Sequence, residues 1–454
     1  MDILKFIENI DLTRFQCAYC DFRIEDVNKT TIRFRNHEFY GCAVQPSLGA
    51  FIRVYNRGQW FYCSTTEIIK IESIIDKLIK QSEKFNGKSI DFYSDIVPYN
   101  KQIIKYSQIA VNNVSVEEKK ELCESYFDVL KAYPSINDNQ VIYSDEYLIK
   151  YFKSSKNVTY AYDNNMCSMS FSFILRDGDK LYSDRYSEYS SEFSLLKKLH
   201  ENLKHEITES EKFLHAPTVI PGKYQVVLGS KVVGVFAHES FGHKSEADFL
   251  LGDENAKEEW KIGKKIGTEK LTIVDEGLTE DVSGYCPFDD EGTPAKKNYL
   301  IKNGKLEGRL HSGITARTLN ESKTGNARSI NFEYEPIVRM TNTYIEPGKI
   351  SFAEMLKQVE QGIYVKECNH GSGLSTFTIA PSKAYYIRQG KIAEPVRISV
   401  ITGTVFQTLH DIEECADDFQ LHSSVLGGCG KMEQSPLHVG LGGPSILVRS
   451  MNLS

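Results

Sequence analysis

No stretch of this 454-residue chain approaches an apolar run long enough to span a bilayer, which takes roughly 20 residues as a helix. A helical membrane crossing is therefore not expected. The opening residues, MDILKFIENIDLTRF, carry acids early and have no basic segment ahead of an apolar core. No export signal is expected, and the cytoplasm is the expected compartment. Positive charge is also in short supply: 54 Lys and Arg stand against 61 Asp and Glu, for a formal net charge of −7. Phosphate backbones call for a basic surface, so nucleic acid is not expected as a direct partner. The ten cysteines, without an export signal, are expected as thiols rather than as a disulfide framework. Cys17 and Cys20 form a lone C-x-x-C with no second pair to complete a zinc ribbon. Their segment alternates like a strand, which predicts thiols pointing apart. No G-x-x-x-x-G-K-[ST] loop occurs, so no ATP-driven chemistry of the chain's own is expected.

What is present is an ordinary globular composition, 41% hydrophobic and 25% charged. The length is too great for one core and suggests about two domains. Residues 15–65 alternate as strands, with Asn-His, Pro-Ser-Leu-Gly (46–49) and Asn-Arg-Gly as turns. Helical periodicity follows from Thr66, its expected N-cap, and again from Ser115, where Ser115-Val-Glu-Glu118 fits a capping box. Strands recur over 140–185, then a helix at about 190–212. The fold class read from this order is α+β: an N-terminal antiparallel sheet with helices, residues 1–215, then a β-rich domain, residues 216–454. The second part is expected to carry two helical segments, one around residue 238 and one over 351–364. The glycine clusters GLGG, 440–443, and GSG, 371–373, read as turns.

The chemistry concentrates in HESFGH, residues 238–243. YQVVLGS reads as a strand and a turn, leading into a helix capped by Ser230. In H-E-x-x-H two imidazoles share one helix face because four residues advance about 400°. Here the second histidine comes five residues after the first, which on an ideal helix puts it about 140° away. Either the pair is no site, or the helix is distorted. Gly242 permits distortion, through a π-bulge or a helix end. Glu246 and Asp248 read as the wet face of the helix, with a ligand role as the alternative.

Further segments follow in order: VDEG at 274–277, DDEGTP at 289–294, YLIKNGKLEG at 299–308, RMTNTYIEPGK at 339–349 and GGCGK at 427–431. With HESFGHKSEADF, they resemble the TldD branch of the TldD/PmbA metallopeptidase family, also called modulators of DNA gyrase. The likeness is strong over 216–454 and weaker before it. The resemblance implies zinc, one ion per chain, held by His238, His243 and Cys429, with Glu239 as the general base. That donor set suits a catalytic zinc site, where three protein ligands leave a position for water. The resemblance also implies a dimer, either with a second copy or with an inactive PmbA/TldE-like relative. Unfolded peptides or small unstructured proteins would be hydrolysed in the enclosed cavity. Thr341, Asn342, Thr343 and Tyr344 are expected to help bind substrate, with ordinary strand residues as the alternative. The segment Met432-Glu433-Gln434 departs from the family pattern, which has a small residue where Glu433 stands, and Glu433 is expected to narrow the cleft or to change substrate preference. His311, His370, His410, His422 and His438 read as loop or packed histidines. The rival reading is a non-catalytic peptide-binding or regulatory protein with a structural metal. Glu239 beside the first histidine favours the enzyme, since a structural site needs no base.

Overall fold

The computed structural model describes residues 2–454. Long strands dominate the first part: β1 (Tyr19–Arg35), β2 (Glu38–Asn56), β3 (Gln59–Thr65), β4 (Tyr99–Ile103), β5 (Ile136–Ser154), β6 (Val158–Asp177) and β7 (Lys180–Ser190). Their order is β3-β2-β1-β5-β6-β4, with β7 also on β6. All pairs are antiparallel except β4 with β6.

Alternation along β1 decides what each face of this sheet meets. Cys20, Phe22 and Ile24 pack with α1 (Ile3–Glu8) and α2 (Ile71–Ser82). Ile32 and Phe34 share a core with α3 (Val116–Glu124), α4 (Phe127–Lys131) and α5 (His200–Glu211). The intervening odd positions turn polar groups to the opposite face. There Arg23 pairs with Asp290 at 3.2 Å, and Asp21 pairs with Arg53, which reaches Glu291 at 2.8 Å. Helices thus cover one face, and residues from the second part cover the other.

Local signals worked unevenly. Ser115 caps α3, accepting from the Glu118 N–H. Thr66 is not a cap: a 3-10 turn precedes α2, and the hydroxyl of Thr65 accepts from Glu67 N–H. Strand β1 begins only at Tyr19, so Cys17 sits on a bend. The two thiols therefore meet rather than diverge, and hydrogen bonding to Cys20 lowers the Cys17 pKa.

The second part contains two larger sheets. In the first, β8 (Gly222–Leu228), β15 (Gln361–Gly373), β16 (Thr376–Arg388), β18 (Ile401–Thr404) and β24 (Ile446–Leu453) run β15-β8-β24-β18-β16. β15 also pairs with β16, so the ring closes as a barrel. β17 (Lys391–Val396) adds to β16 and β19 (Ile412–Cys415) to β24. In the second sheet, β9 (Ile273–Glu276), β10 (Lys297–Lys302), β11 (Lys305–Leu306), β14 (Asn342–Ile345), β20 (Gln420–His422) and β23 (Gly440–Gly443) run β11-β10-β9-β14-β23-β20. Short pairs join β12 (Ala327–Arg328) to β13 (Ile337–Val338), and β21 (Cys429–Lys431) to β22 (Gln434–Leu437).

Between the six-stranded sheet and the barrel lies α6 (Ser230–Ala237), packed on β23, β15 and β14. Its core includes Val232, Val233 and Phe236. Both glycine clusters read as turns are strand instead, GLGG as β23 and GSG as the end of β15. The reason in β23 is close approach: a Cβ on Gly442 would lie 2.1 Å from Gln420 O, and one on Gly234 of α6 would lie 2.4 Å from Gly442 N. The helix expected over 351–364 covers only Phe352–Leu356, because Gln361 onward is drawn into β15 beside β8.

Candidate metal centre

Strand β8 ends at Leu228 and delivers the chain into α6. Gly229, not Ser230, is the N-cap residue. The Ser230 hydroxyl donates to Gln420 O at 3.1 Å instead, tying the helix start to β20. The α-helix stops at Ala237, and His238–Gly242 form one π-helical turn, followed by a 3-10 turn at His243–Ser245. The wider turn absorbs the extra residue of the motif. It brings the rings of His238 and His243 to 5.1 Å between centroids at 82°. Gly242 leaves room there for Met340, whose Sδ would lie 2.0 Å from an added Cβ and would have to move.

Cys429 arrives on β21, held by a buried cation. Arg339 is fully buried and donates to Cys429 O at 2.7 Å and to Gln434 O at 3.2 Å. The Cys429 sulfur lies 3.5 Å from His243 Nε2. Donor atoms of His238, His243 and Cys429 all fall within 4.8 Å of one another.

The donors suit a borderline-soft metal. His238 is 3% exposed, and its Nδ1 is buried without a hydrogen-bond partner. Burial would raise the Cys429 pKa, but hydrogen bonds from His238 and His243 outweigh it and bring the thiol down to about 5. A thiolate is the form that binds metal. On His243, burial alone would lower the pKa, but Cys429 and Glu246 lift it to about 10. Its Nδ1 lies 3.0 Å from Glu246 Oε2. Glu239 lines the same cavity, and burial pushes its carboxyl above the ordinary value. The cavity holds about 260 Å³ and has apolar walls from Val235, Cys368, Val439 and Leu441.

Other expectations change. Glu246 is not on a wet face but fully buried, because the helix ends at Ser245 and the chain turns inward. Asp248 is largely covered too and is paired with Lys431 at 2.7 Å. Thr341, Asn342, Thr343 and Tyr344 do not line the metal cavity. The Thr341 and Thr343 hydroxyls donate to Asp275 at 2.7 and 2.8 Å, Asn342 donates to Glu276 O, and Tyr344 to the Glu276 carboxylate. They fasten β14 to β9. Glu433 does not narrow the cleft, since it sits exposed on the turn between β21 and β22. Among the five remaining histidines, His422 lines the cavity, 3.0 Å from the Ser230 hydroxyl, and burial with the Lys231 charge lowers its pKa to about 4. His311 is packed against Thr315 and Glu321, His438 pairs with Glu146, and His370 and His410 are exposed. Lys231 also lines the cavity, paired with Glu367 at 2.9 Å.

The chain is similar to known proteins over nearly its whole length. Three domain models of one family match in order: PmbA/TldA metallopeptidase domain 1 over residues 20–84, the central domain over 110–209 and the C-terminal domain over 221–454. A metalloprotease from Synechocystis is 33% identical over 440 residues, 96% of this chain and 94% of its own length. A zinc metalloprotease TldD homolog from Saccharolobus solfataricus is 29% identical and covers 99% of both chains. Among solved structures, a candidate modulator of DNA gyrase from Thermotoga maritima superposes with a TM-score of 0.78 at 19% identity, covering 96% of each chain. TldE from Thermococcus kodakarensis gives 0.77 at 15%, covering 100% of this chain and 99% of its own. At those identities the solved structures speak to the fold alone. The family models and the curated relatives speak to more: this chain is a metallopeptidase and belongs to the PmbA/TldD family.

Proposed function

We propose that the protein is a zinc-dependent peptidase, with one zinc per chain held by His238, His243 and Cys429 and with Glu239 as general base. The observation that carries this reading is the meeting of three donors, 186 residues apart between His243 and Cys429, beside a half-buried carboxylate on one cavity wall. Zinc in that position would supply a Lewis acid for the peptide carbonyl and an acidified water. Glu239 takes the proton of the attacking water and returns it to the leaving amine. Its raised pKa suits an acceptor that must release the proton again.

The substrate class is unfolded peptide or a small unstructured protein. A cavity of about 260 Å³ with largely apolar walls admits a short extended segment and no folded surface. The working form is a dimer, with a second copy or with a TldE-like relative, and its substrate cavity lies between the subunits. The outer half of β2 supports an association surface: β3 pairs only with Ala50–Asn56, leaving exposed Phe39, Tyr40, Val44 and Leu48 along an unpaired edge. We place the protein in the cytoplasm and divide it at residues 215 and 216. The core of the second part, Val219 to Leu453, supports that division.

Glu239→Ala tests the catalytic reading. Zinc content by elemental analysis is expected to be unchanged, while hydrolysis of an unstructured peptide falls by about 10²–10⁴-fold. Undiminished cleavage removes Glu239 from the mechanism. Bound zinc with no cleavage by the wild-type chain, alone or with a TldE-like partner, favours the non-catalytic alternative.

A further inference from the structure

Two carboxylates near the histidine motif and one lysine near the cysteine converge on a single buried point. Lys431 stands two residues beyond Cys429 on β21, and both are buried while Gly430 between them is exposed. The Lys431 side chain is 2% exposed. Its ammonium lies 3.2 Å from Glu246 Oε2, 2.7 and 2.8 Å from the Asp248 oxygens, and 2.8 Å from Val338 O. Its hydrogen bonds go to Asp248 and Val338 O, and Glu246 faces it as an ion pair. The Phe249 ring lies over the charge at 4.4 Å.

Glu246 in turn faces His243 Nδ1 at 3.0 Å. A carboxylate that accepts Nδ1–H leaves the Nε2 lone pair free, and Nε2 is the nitrogen turned toward the Cys429 sulfur. The other oxygen, Glu246 Oε1, is buried without a partner, so Lys431 and His243 hold the carboxylate between them. The chain from Cys429 along β21 to Lys431, across to Glu246 and on to His243 closes a loop between two ligands distant in sequence.

We propose that Lys431 is a positioning residue of the metal centre, which acts through Glu246 to fix the His243 ring and clamps the cysteine strand onto the histidine turn. The role deepens the zinc-peptidase reading and rests on it. Without the ammonium, Glu246 is a buried carboxylate whose only remaining partner is the ligand imidazole, and β21 loses its charged tie to the turn.

The test measures zinc affinity of the full chain by competition with a chromophoric chelator, alongside the melting curve of each variant. Lys431→Met and Glu246→Gln are each expected to raise the zinc Kd about 10–100-fold. Combined, they are expected to cost clearly less than the product of the two, because both act along one path. In cobalt-substituted protein, Lys431→Met is expected to alter the sulfur-to-metal charge-transfer band, a change that a stabilising role alone would not produce. A cooperatively melting Lys431→Met chain with Kd within about twofold of wild type overturns the proposal, as does full multiplication of the two effects. Should Lys431→Met not fold, Asp248→Asn, whose side chain is 19% exposed, carries the test: a severalfold higher Kd supports the clamp and an unchanged one overturns it. Wild-type protein that binds no zinc sinks the metal reading itself; equal binding by wild type and variant sinks the clamp alone.

Discussion

At Gly242 and Gly234 a missing methyl group sets the geometry, and the two positions differ in what a methyl would strike. At Gly242 it meets the sulfur of Met340, a flexible side chain; at Gly234 it meets the backbone N of Gly442 at 2.4 Å. Gly242→Ala is therefore expected to destabilise by about 1 kcal/mol and Gly234→Ala by about 3 kcal/mol, read by denaturant unfolding. Met340→Ala should relieve Gly242→Ala, so that the double variant loses less than the sum of the singles; strict additivity would refute the contact as the cause. The histidine pair stood out in sequence, but its spacing left a site open, and Cys429 was singled out only by the family resemblance; the fold brings the three side chains together. Glu246, Asp248 and Lys431 were not recognised as a group. Their meaning depends on the helix ending at Ser245 and on a strand from far along the chain, and helical periodicity carries neither fact.

Among the elements, β2 is the one left unfinished. Its 19 residues outrun β3, and Tyr40, 71% exposed, projects from the unpaired half. Tyr40→Glu is expected to shift the sedimentation coefficient of the proposed dimer to that of a monomer without lowering the melting temperature of the subunit. An unchanged coefficient would place the association surface elsewhere. Alternation in β1 and β5 was readable, but the full length of β2 was not: Pro46-Ser47-Leu48-Gly49, read as a turn, stays extended inside the strand because each residue pairs with β1. The errors came where packing overruled local preference. GLGG carries turn residues, yet the chain stays extended there because α6 and β20 press on both of its sides. Residues 357–364 carry a helical pattern, yet Ile363 and Val365 are captured by β8.

For the molecule as a whole, the joint between its two parts combines an aromatic cluster, Tyr160 and Tyr162 against Tyr285 and Phe288, with buried ion pairs. The segment Asp289-Asp290-Glu291, all about 1% exposed, inserts against the polar face of the N-terminal sheet and takes up Lys150 at 2.6 Å and Arg53 at 2.8 Å. Burial pushes Asp289 up to about 8, while the Arg23 and Lys150 charges overcome burial and hold Asp290 at about 2. Nearby, Glu146 bridges Lys29 at 2.8 Å and His438 at 3.2 Å. Burial would raise its pKa, but His438 and Lys29 bring it from 4.5 to about 2. A carboxyl depressed by folding stabilises the native state above its unfolded value and loses that contribution as pH falls from 4.5 toward 2. Glu146→Gln should therefore melt lower than wild type at pH 7 and close to it at pH 2; an equal gap at both would refute the assignment. An α+β class followed from the sequence of alternating and helical segments, but this joint did not, because charges buried in a contact look in sequence like any solvated surface. The barrel adds a temporal consequence. Strand β24, residues 446–453, sits between β8 and β18, so the ring stays open until the ribosome has released that stretch. A polypeptide that has not yet reached residue 446 lacks the strand joining β8 to β18, so the barrel beside α6 can form only after nearly all the other strands exist.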